Sequence, residues 1–388
     1  MITPTFRIFD TDCYCREFSA TVLSVQPTAD GNFAVALDRS AFFPEAGGQL
    51  ADEGTLDGIP VTDVRENEDG VLAHILPTPP AIGSTVKGVL DWDVRYRRMQ
   101  NHTGEHILSG IAFRTLGLHN VGFHLGRADM TVDFDGVLSR EQLNDLEDAA
   151  NWAIVQMHPV RITFPSPAEL EHLHYRSKIE RTERIRIVTI EDCDVCACCA
   201  PHVANTGEIG LLKILDAMHY KGGSRLHLLC GKDALDDYRF RYDAVASLSA
   251  SLSVKQKDVC DGVLRLRKEL DDTRKRLSGV LRDLIPCRAA TAVPENGIIC
   301  LFEDTDDMLF ARNLVNACLP KCDRLCAVFA GNDEKGYRYI IASSTLNLKE
   351  LSPHLNATLC GRGGGSSAMI QGSVNTDRFH ILDYFSSL

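Results

Sequence analysis

Two histidines four residues apart, His102 and His106, stand in the stretch NHTGEHILSG, whose apolar spacing is that of a helix. Helical geometry puts side chains at i and i+4 on one face, a turn apart, so both imidazoles can serve one metal ion. Further along, the run CACCAPHVANTGEIG carries Cys198 and His202, again four apart and preceded by a strand-like stretch. Together the two pairs offer three imidazole nitrogens and one thiolate sulfur. That borderline-soft set suits zinc (Zn2+) better than magnesium or calcium, which prefer oxygen. In a site with an open position, zinc lowers the pKa of bound water and polarises a carbonyl, the two steps that ester hydrolysis needs. No G-x-S-x-G serine elbow occurs, which leaves water held through His102, His106, Cys198 and His202 as the simplest nucleophile.

Other readings of the same residues compete with this one. Four protein ligands would close a tetrahedral shell and make the metal structural. HTGEH also spells H-x-x-E-H, the inverted zinc-protease signature, in which Glu105 is the general base and a carboxylate the third ligand. That reading leaves Cys198, His202 and a glycine-rich tail unexplained. In a third, Cys193, Cys196 and Cys199 are small buried hydrophobes beside an unrelated histidine. The chain has 14 cysteines, and Met1 to Asp10 lacks the basic and long apolar segments of a secretory signal. Reduced thiols and metal ligands are therefore expected rather than disulfides, and a cytoplasmic location. No run of about 18 apolar residues is present to span a membrane.

The elements that must position these residues follow from patterning. From Phe18 to Leu90 short runs alternate apolar and polar residues between Gly, Pro, Asp and Asn, as a small all-β unit does. Helical segments follow at Arg97 to Leu116 and Arg140 to Met157, with extended pieces at Val160 to Phe164 and Ile185 to Ile190, an α+β order. Between Val259 and Leu284, apolar positions recur at alternating steps of four and three, with Thr273 the polar member. This predicts either a coiled-coil seam joining two subunits or one amphipathic helix packed on its own chain. Arg265, Arg267, Lys268, Arg274, Lys275 and Arg276 make its outer faces basic, and Pro286 is expected to stop it. Strand-like runs and a helix at Met308 to Cys318 then suggest a compact α/β domain. Within it GRGGGSSAMIQGS, Gly361 to Ser373, reads as a mobile loop rather than a backbone-facing groove. The formal charge of -12 argues against non-specific attraction to nucleic acid. From Asp237 onward, however, 20 Lys+Arg face 19 Asp+Glu, so a polyanionic partner would be held mainly by the carboxy-terminal part.

Four blocks in order resemble the stand-alone alanyl-tRNA editing proteins, the AlaX family, and through them the editing region of alanyl-tRNA synthetase. FFPEAGGQLADEG resembles the family's F-Y-P-x-x-G-G-Q-x-x-D-x-G. DWDVRYRRMQNHTGEHILSG resembles the segment with H-x-x-x-H, VGFHLGRADMTVDFDG the block after it, and CCAPHVANTGEIG the motif C-x-G-T-H-V-x-x-T-G-E-I-G. GRGGGSSAMIQGS resembles the glycine-rich tract of the DHH-associated domain in long AlaX proteins, and no Asp-His-His triplet occurs to suggest phosphoesterase chemistry.

The resemblance implies an α+β fold in four parts. These are an N-terminal β-barrel-like domain (1–90), a zinc-dependent editing domain (91–236), a long helical or coiled-coil segment (237–288) and a C-terminal α/β domain (289–388) for tRNA binding or dimerisation. It implies zinc on His102, His106, Cys198 and His202, a substrate-side loop at Gly47, Gly48 and Gln49, and tRNA contacts at Arg362, Gly363, Gly364 and Gly365. The implied reaction is hydrolysis of the ester joining serine, and also glycine, to the 3′ end of alanine tRNA. The implied partners are that mischarged tRNA and, through the long helix or the C-terminal domain, a second subunit. Because a pocket admitting serine cannot exclude alanine by size, a polar group must reward the hydroxyl, and Gln49 is the candidate. Ala200 and Pro201 stand where the family usually has Gly and Thr. Pro201 removes a backbone donor, so the loop presenting His202 is expected to depart from the usual geometry, with Cys193, Cys196 or Cys199 near enough to substitute.

Overall fold

A computed structural model describes residues 3–127, 129–177 and 185–388. Contacts divide the chain into two units, Met1–Ala244 and Val245–Leu388. The first begins with β1 (Phe6–Arg7), β2 (Glu17–Pro27), β3 (Phe33–Leu37), β4 (Arg39–Ser40) and β5 (Gly54–Leu56), then β6 (Ile59–Val61), β7 (Asp63–Glu66), β8 (Leu72–Leu76) and β9 (Thr85–Leu90). Alternation sets their faces: Phe18, Ala20 and Val22 of β2 and Val86 and Leu90 of β9 are buried, while Glu17, Ser19 and Lys87 are exposed. Seven of these strands form one sheet in the order β6-β5-β9-β2-β3-β8-β7, and β6 at one end lies against β8, so the sheet nearly closes into a barrel.

Helix α1 (Trp92–Leu116) follows directly. Asp91 caps its start by accepting from the Val94 amide, and Gly117 ends it in a left-handed conformation. From Arg98 to Ala112 every residue is buried, because α1 runs through the middle of the unit. Two glycines make room for its neighbours. A Cβ on Gly104 would stand 2.3 Å from Cys230 Sγ, and one on Gly110 2.4 Å from the Cys193 carbonyl. Around α1 lie β10 (Asn120–Leu125), β11 (Met130–Phe134), α2 (Arg140–Val155), β12 (Val160–Thr163), α3 (Pro167–Leu170), β13 (Ile187–Ile190) and β14 (Asp194–Ala197). The layer is completed by β15 (Leu212–Tyr220) and β16 (Gly223–Cys230). They make two antiparallel sheets, β10-β11-β16-β15 and β12-β13-β14. The boundary between the units falls within α4 (Gly231–Leu252).

In the second unit α5 (Val259–Thr291) carries the alternating apolar positions. Val259 is buried, but Val263, Leu266, Leu270, Leu277, Val280 and Leu284 are 40% to 65% exposed, so this stripe faces solvent. Pro286 does not stop the helix as expected. A proline inside a helix costs about 3 kcal/mol. Here Leu281, Ile285 and Ala289 pack into the core with α6 (Met308–Cys318), and that burial offsets the lost hydrogen bond. The sheet runs β17-β18-β19-β21-β20, from β17 (Ile298–Glu303), β18 (Leu325–Asn332), β19 (Gly336–Ala342), β20 (Gly361–Gly365) and β21 (Met369–Val374). Helix α6 covers one face, and α7 (Leu348–Thr358) and α8 (Arg378–Ser386) the other. The glycine tract is therefore an edge strand and its hairpin, not a mobile loop. Gly363 and Gly365 reflect crowding, since a Cβ there would stand 2.3 Å from the Tyr339 hydroxyl and 2.4 Å from the Met369 carbonyl, respectively. Among the described residues no helix is long and apolar enough to cross a membrane.

Candidate metal centre

The two histidines of α1 meet the segment that leaves β14. Cys198 directly follows that strand, and His202 lies in the loop before a short 3-10 turn at Thr206–Ile209. Ligand atoms of His102, His106, Cys198 and His202 all lie within 4.8 Å of one another. Cys198 Sγ is 3.6 Å from His102 Nε2 and 3.4 Å from His202 Nε2, and the three ring centroids are 4.7–5.3 Å apart. The three histidines are at most 3% exposed.

Each imidazole is held from behind through its Nδ1 atom. His102 Nδ1 donates to Gln49 Oε1 at 2.8 Å, and His106 Nδ1 to Asp194 Oδ2 at 2.9 Å. His202 Nδ1 lies 3.0 Å from Thr103 Oγ1, whose own proton goes to the Met99 carbonyl at 2.7 Å. Thr103 must therefore accept from His202. Each ring therefore carries a proton on Nδ1, and the three Nε2 atoms converge beside Cys198, the arrangement in which histidines ligate metals. Burial opposes charge on the Cys198 thiol, yet the imidazoles of His102 and His202 outweigh it and hold the thiol well below its ordinary range. Burial pushes His202 down to about 3, so it remains a neutral donor. These four residues can hold a metal ion.

His106, Asp194 and Cys196 also lie within 4.8 Å of one another. Asp194 is already engaged there, because Arg176 bonds both its oxygens at 2.7 Å. Burial also pushes the Cys196 thiol up to about 11, which makes it a poor ligand. Glu105, the general base of the protease reading, is buried, and its Oε1 accepts from Ser109 at 2.5 Å and from Asn120. On the Nε2 side His102 and His106 are grouped with the Cys198 thiol and the His202 imidazole, and Glu105 Oε2 lies 3.9 Å from His106 Nε2.

The loop of Gly47, Gly48 and Gln49 is fastened at both ends. Gly47 and Gly48 have φ of 61° and 84°, and a Cβ on Gly48 would stand 2.3 Å from the Phe123 carbonyl. The Leu125 amide donates to the Gly48 carbonyl at 2.7 Å, which turns Gln49 inward. Gln49 is 1% exposed rather than a surface turn residue, and its Nε2 finds no partner among the described residues. Behind it Asp52 accepts from the Phe43 amide at 2.7 Å and from the fully buried Arg95, while Arg98 donates to the Ala51 carbonyl at 2.6 Å. The far loop has its own braces. Arg186 donates to the Cys198 and Ala200 carbonyls, each at 2.8 Å, and the Ala204 amide donates to the Tyr14 hydroxyl at 2.8 Å. Tyr14 in turn donates to Glu208, as does Tyr96. With these braces, Ala200 and Pro201 leave His202 within the cluster.

Sequence reasoning missed Thr103, Asp194, Arg95, Arg98, Arg176 and Arg186. A signal existed for Arg95 and Arg98, three apart on the helix that carries the histidines, but none marked their burial. Arg362, Gly363, Gly364 and Gly365 lie on β20 of the second unit. There Arg362 is exposed and, with Lys335 and Arg338, lines a cleft of about 360 Å³.

Residues 185–227, from β13 through the ligand loop into β16, match the family described as threonyl and alanyl tRNA synthetase second additional domain. The alanyl-tRNA editing protein Aarsd1 of Rattus norvegicus is 29% identical over 384 residues, covering 94% of this chain and 92% of that protein. The alanyl-tRNA editing protein AlaX-L of Pyrococcus horikoshii is 28% identical, covering 97% and 96%. The alanine–tRNA ligase of Ignicoccus hospitalis is 31% identical over 327 residues, 81% of this chain but only 36% of the ligase. Matched along nearly its whole length by two editing proteins and over part of a ligase, the chain is similar to the stand-alone alanyl-tRNA editing proteins.

Proposed function

We propose that this protein is a zinc-dependent aminoacyl-tRNA deacylase that removes serine from mischarged alanine tRNA. The observation that carries the reading is the convergence of three fixed Nε2 atoms on Cys198, in a chain similar over nearly its whole length to alanyl-tRNA editing proteins. Three imidazoles and a thiolate are a donor set that fits zinc. Bound to His102, His106, Cys198 and His202, zinc would supply Lewis acidity for the ester carbonyl and a lowered pKa for water.

The chain's own residues account for orientation and choice. Gln49 has committed its oxygen to His102, so its remaining capacity is the Nε2 donor, which is buried without a partner among the described residues. Leaving a buried donor unpaired costs about 1–3 kcal/mol, and a serine hydroxyl arriving there would pair it. Alanine has no such oxygen, so it gains nothing from the same pocket. The basic residues Arg265, Arg267, Lys268, Arg274, Lys275 and Arg276 on α5, and Arg362 on β20, are the candidates for contact with the tRNA backbone.

Release of serine from mischarged alanine tRNA, measured with wild type and His102→Ala alongside zinc content, tests the reading. Loss of both turnover and metal is expected, and equal rates would remove the metal from the reaction. A second reading, a tRNA-binding accessory protein with a structural ion, is favoured by the number of protein ligands, which suffices to close a tetrahedral shell. It requires normal tRNA binding with serine left attached, so metal-dependent turnover rejects it.

A further inference from the structure

We infer that Asp194 and Arg176 act as one positioning unit for His106 and set how tightly the cluster holds its ion. This rests on reading His102, His106, Cys198 and His202 as the ligands. The outer partners of His102 and His202 are neutral, an amide and a hydroxyl, whereas that of His106 is a carboxylate. A carboxylate accepting from Nδ1 makes the opposite nitrogen a stronger donor than a neutral acceptor does.

The fold goes to some length to put that carboxylate there. Gly110 lies one turn beyond His106 on α1, and a Cβ on it would stand 2.7 Å from Asp194 Cβ, so the glycine lets β14 approach the helix. Asp194 is 6% exposed, and a lone carboxylate so placed would be costly. Arg176 answers it with Nε on Oδ1 and Nη2 on Oδ2, a bidentate bond that also fixes which oxygen faces His106. Arg176 is itself held to the same strand by its backbone. Its amide donates to the Val195 carbonyl at 2.8 Å, and its carbonyl accepts from the Ala197 amide at 2.9 Å. The guanidinium is thus anchored immediately before Cys198, and one strand carries the thiolate ligand together with the clamp on His106.

Asparagine in place of Asp194 removes the charge and cannot keep all three bonds. If its oxygen takes the Oδ2 place, accepting from His106 and Arg176 Nη2, its NH2 faces Arg176 Nε. The experiment is zinc affinity of the full chain, by competition with a chromophoric chelator at fixed pH, for wild type, Asp194→Asn, Arg176→Met and the double variant. Asp194→Asn is expected to weaken zinc about 10–100-fold. Arg176→Met, which leaves the carboxylate in place and touches a more accessible side chain, is expected to weaken it less. The double variant should be no worse than Asp194→Asn alone, because Arg176 acts only through Asp194. A merely structural role predicts instead that the two losses multiply. Zinc held by Asp194→Asn within twofold of wild type overturns the inference. Should Asp194→Asn not fold, unchanged affinity in Arg176→Met does the same. Wild type that takes up no zinc overturns the ligand reading itself, an outcome distinct from wild-type binding that survives in the variants.

Discussion

Replacing Asp52 by alanine should damage the first unit more than its distance from the ligand cluster suggests. The Asp52 carboxylate is 1% exposed and sits against Arg95 at 0%, with Arg98 3.8 Å from its other oxygen. Removing one partner of a buried ion pair leaves the other charged and unpaired, at about 3–5 kcal/mol. The Phe43 amide would lose its acceptor as well, which places the expectation at the upper end, about 5 kcal/mol. The chain has 2 tryptophans, Trp92 and Trp152, both in the first unit, so fluorescence during urea unfolding reports that unit alone. Unfolding should be followed with chelator present, so that zinc does not add its own stabilisation. The double variant Asp52→Leu/Arg95→Met leaves neither member of that pair behind and should recover part of the loss. Recovery stays partial because the Cys13 and Ala41 carbonyls then lose the Arg95 donors. A loss below about 1 kcal/mol in Asp52→Ala, the range of an exposed pair, would refute the reasoning.

Other expectations are more local. Gly48→Ala should strip the site of zinc on dialysis, because its Cβ meets the Phe123 carbonyl and displaces Gln49 from His102. Gly47→Ala, with open space and only the left-handed backbone to oppose it, should cost about 1–2 kcal/mol and keep the metal. Burial holds His74 down at about 4, between Ser40 and the Val35 carbonyl. The unfolded chain therefore takes up that proton first as pH falls below about 6.5, and stability should decline from there to pH 4 by roughly 3 kcal/mol. His74→Phe should remove that slope in urea midpoints measured across the range, and an unchanged slope would assign it to other groups. The solvent-facing stripe of α5 predicts self-association. Leu270→Glu with Leu277→Glu should convert dimer to monomer in sedimentation, and a wild type that already sediments as a monomer contradicts the seam.

The two candidate pairs were legible because periodicity is local: a four-residue step on a helix, and another after a strand, need only neighbouring residues to be seen. Their convergence depended on resemblance and ligand chemistry, since nothing local says that α1 runs beside β14. What stayed hidden was every group whose role is set by a distant partner. Arg95 reads as the polar face of a helix start, and its burial becomes intelligible only with Asp52, 43 residues away, beside it. Asp194 reads as an alternating strand residue until Gly110 brings the helix against it. Pro286 and the glycine tract were misjudged for the same reason, as tertiary packing against α6 and against Tyr339 overrode what each sequence favours alone. Strands β2 and β9, whose burial alternates along the chain, needed no such help.

Helix α1 bears the buried arginines in its first turns and His102 and His106 in the next, with no loop between. The step from Arg98 to His102 therefore acts as a reading frame in space. One residue inserted or deleted there would rotate the histidines about 100° around the axis relative to the arginines. Length changes in the surface turns of the barrel should be absorbed, whereas this short stretch of rod admits substitution but no change of count.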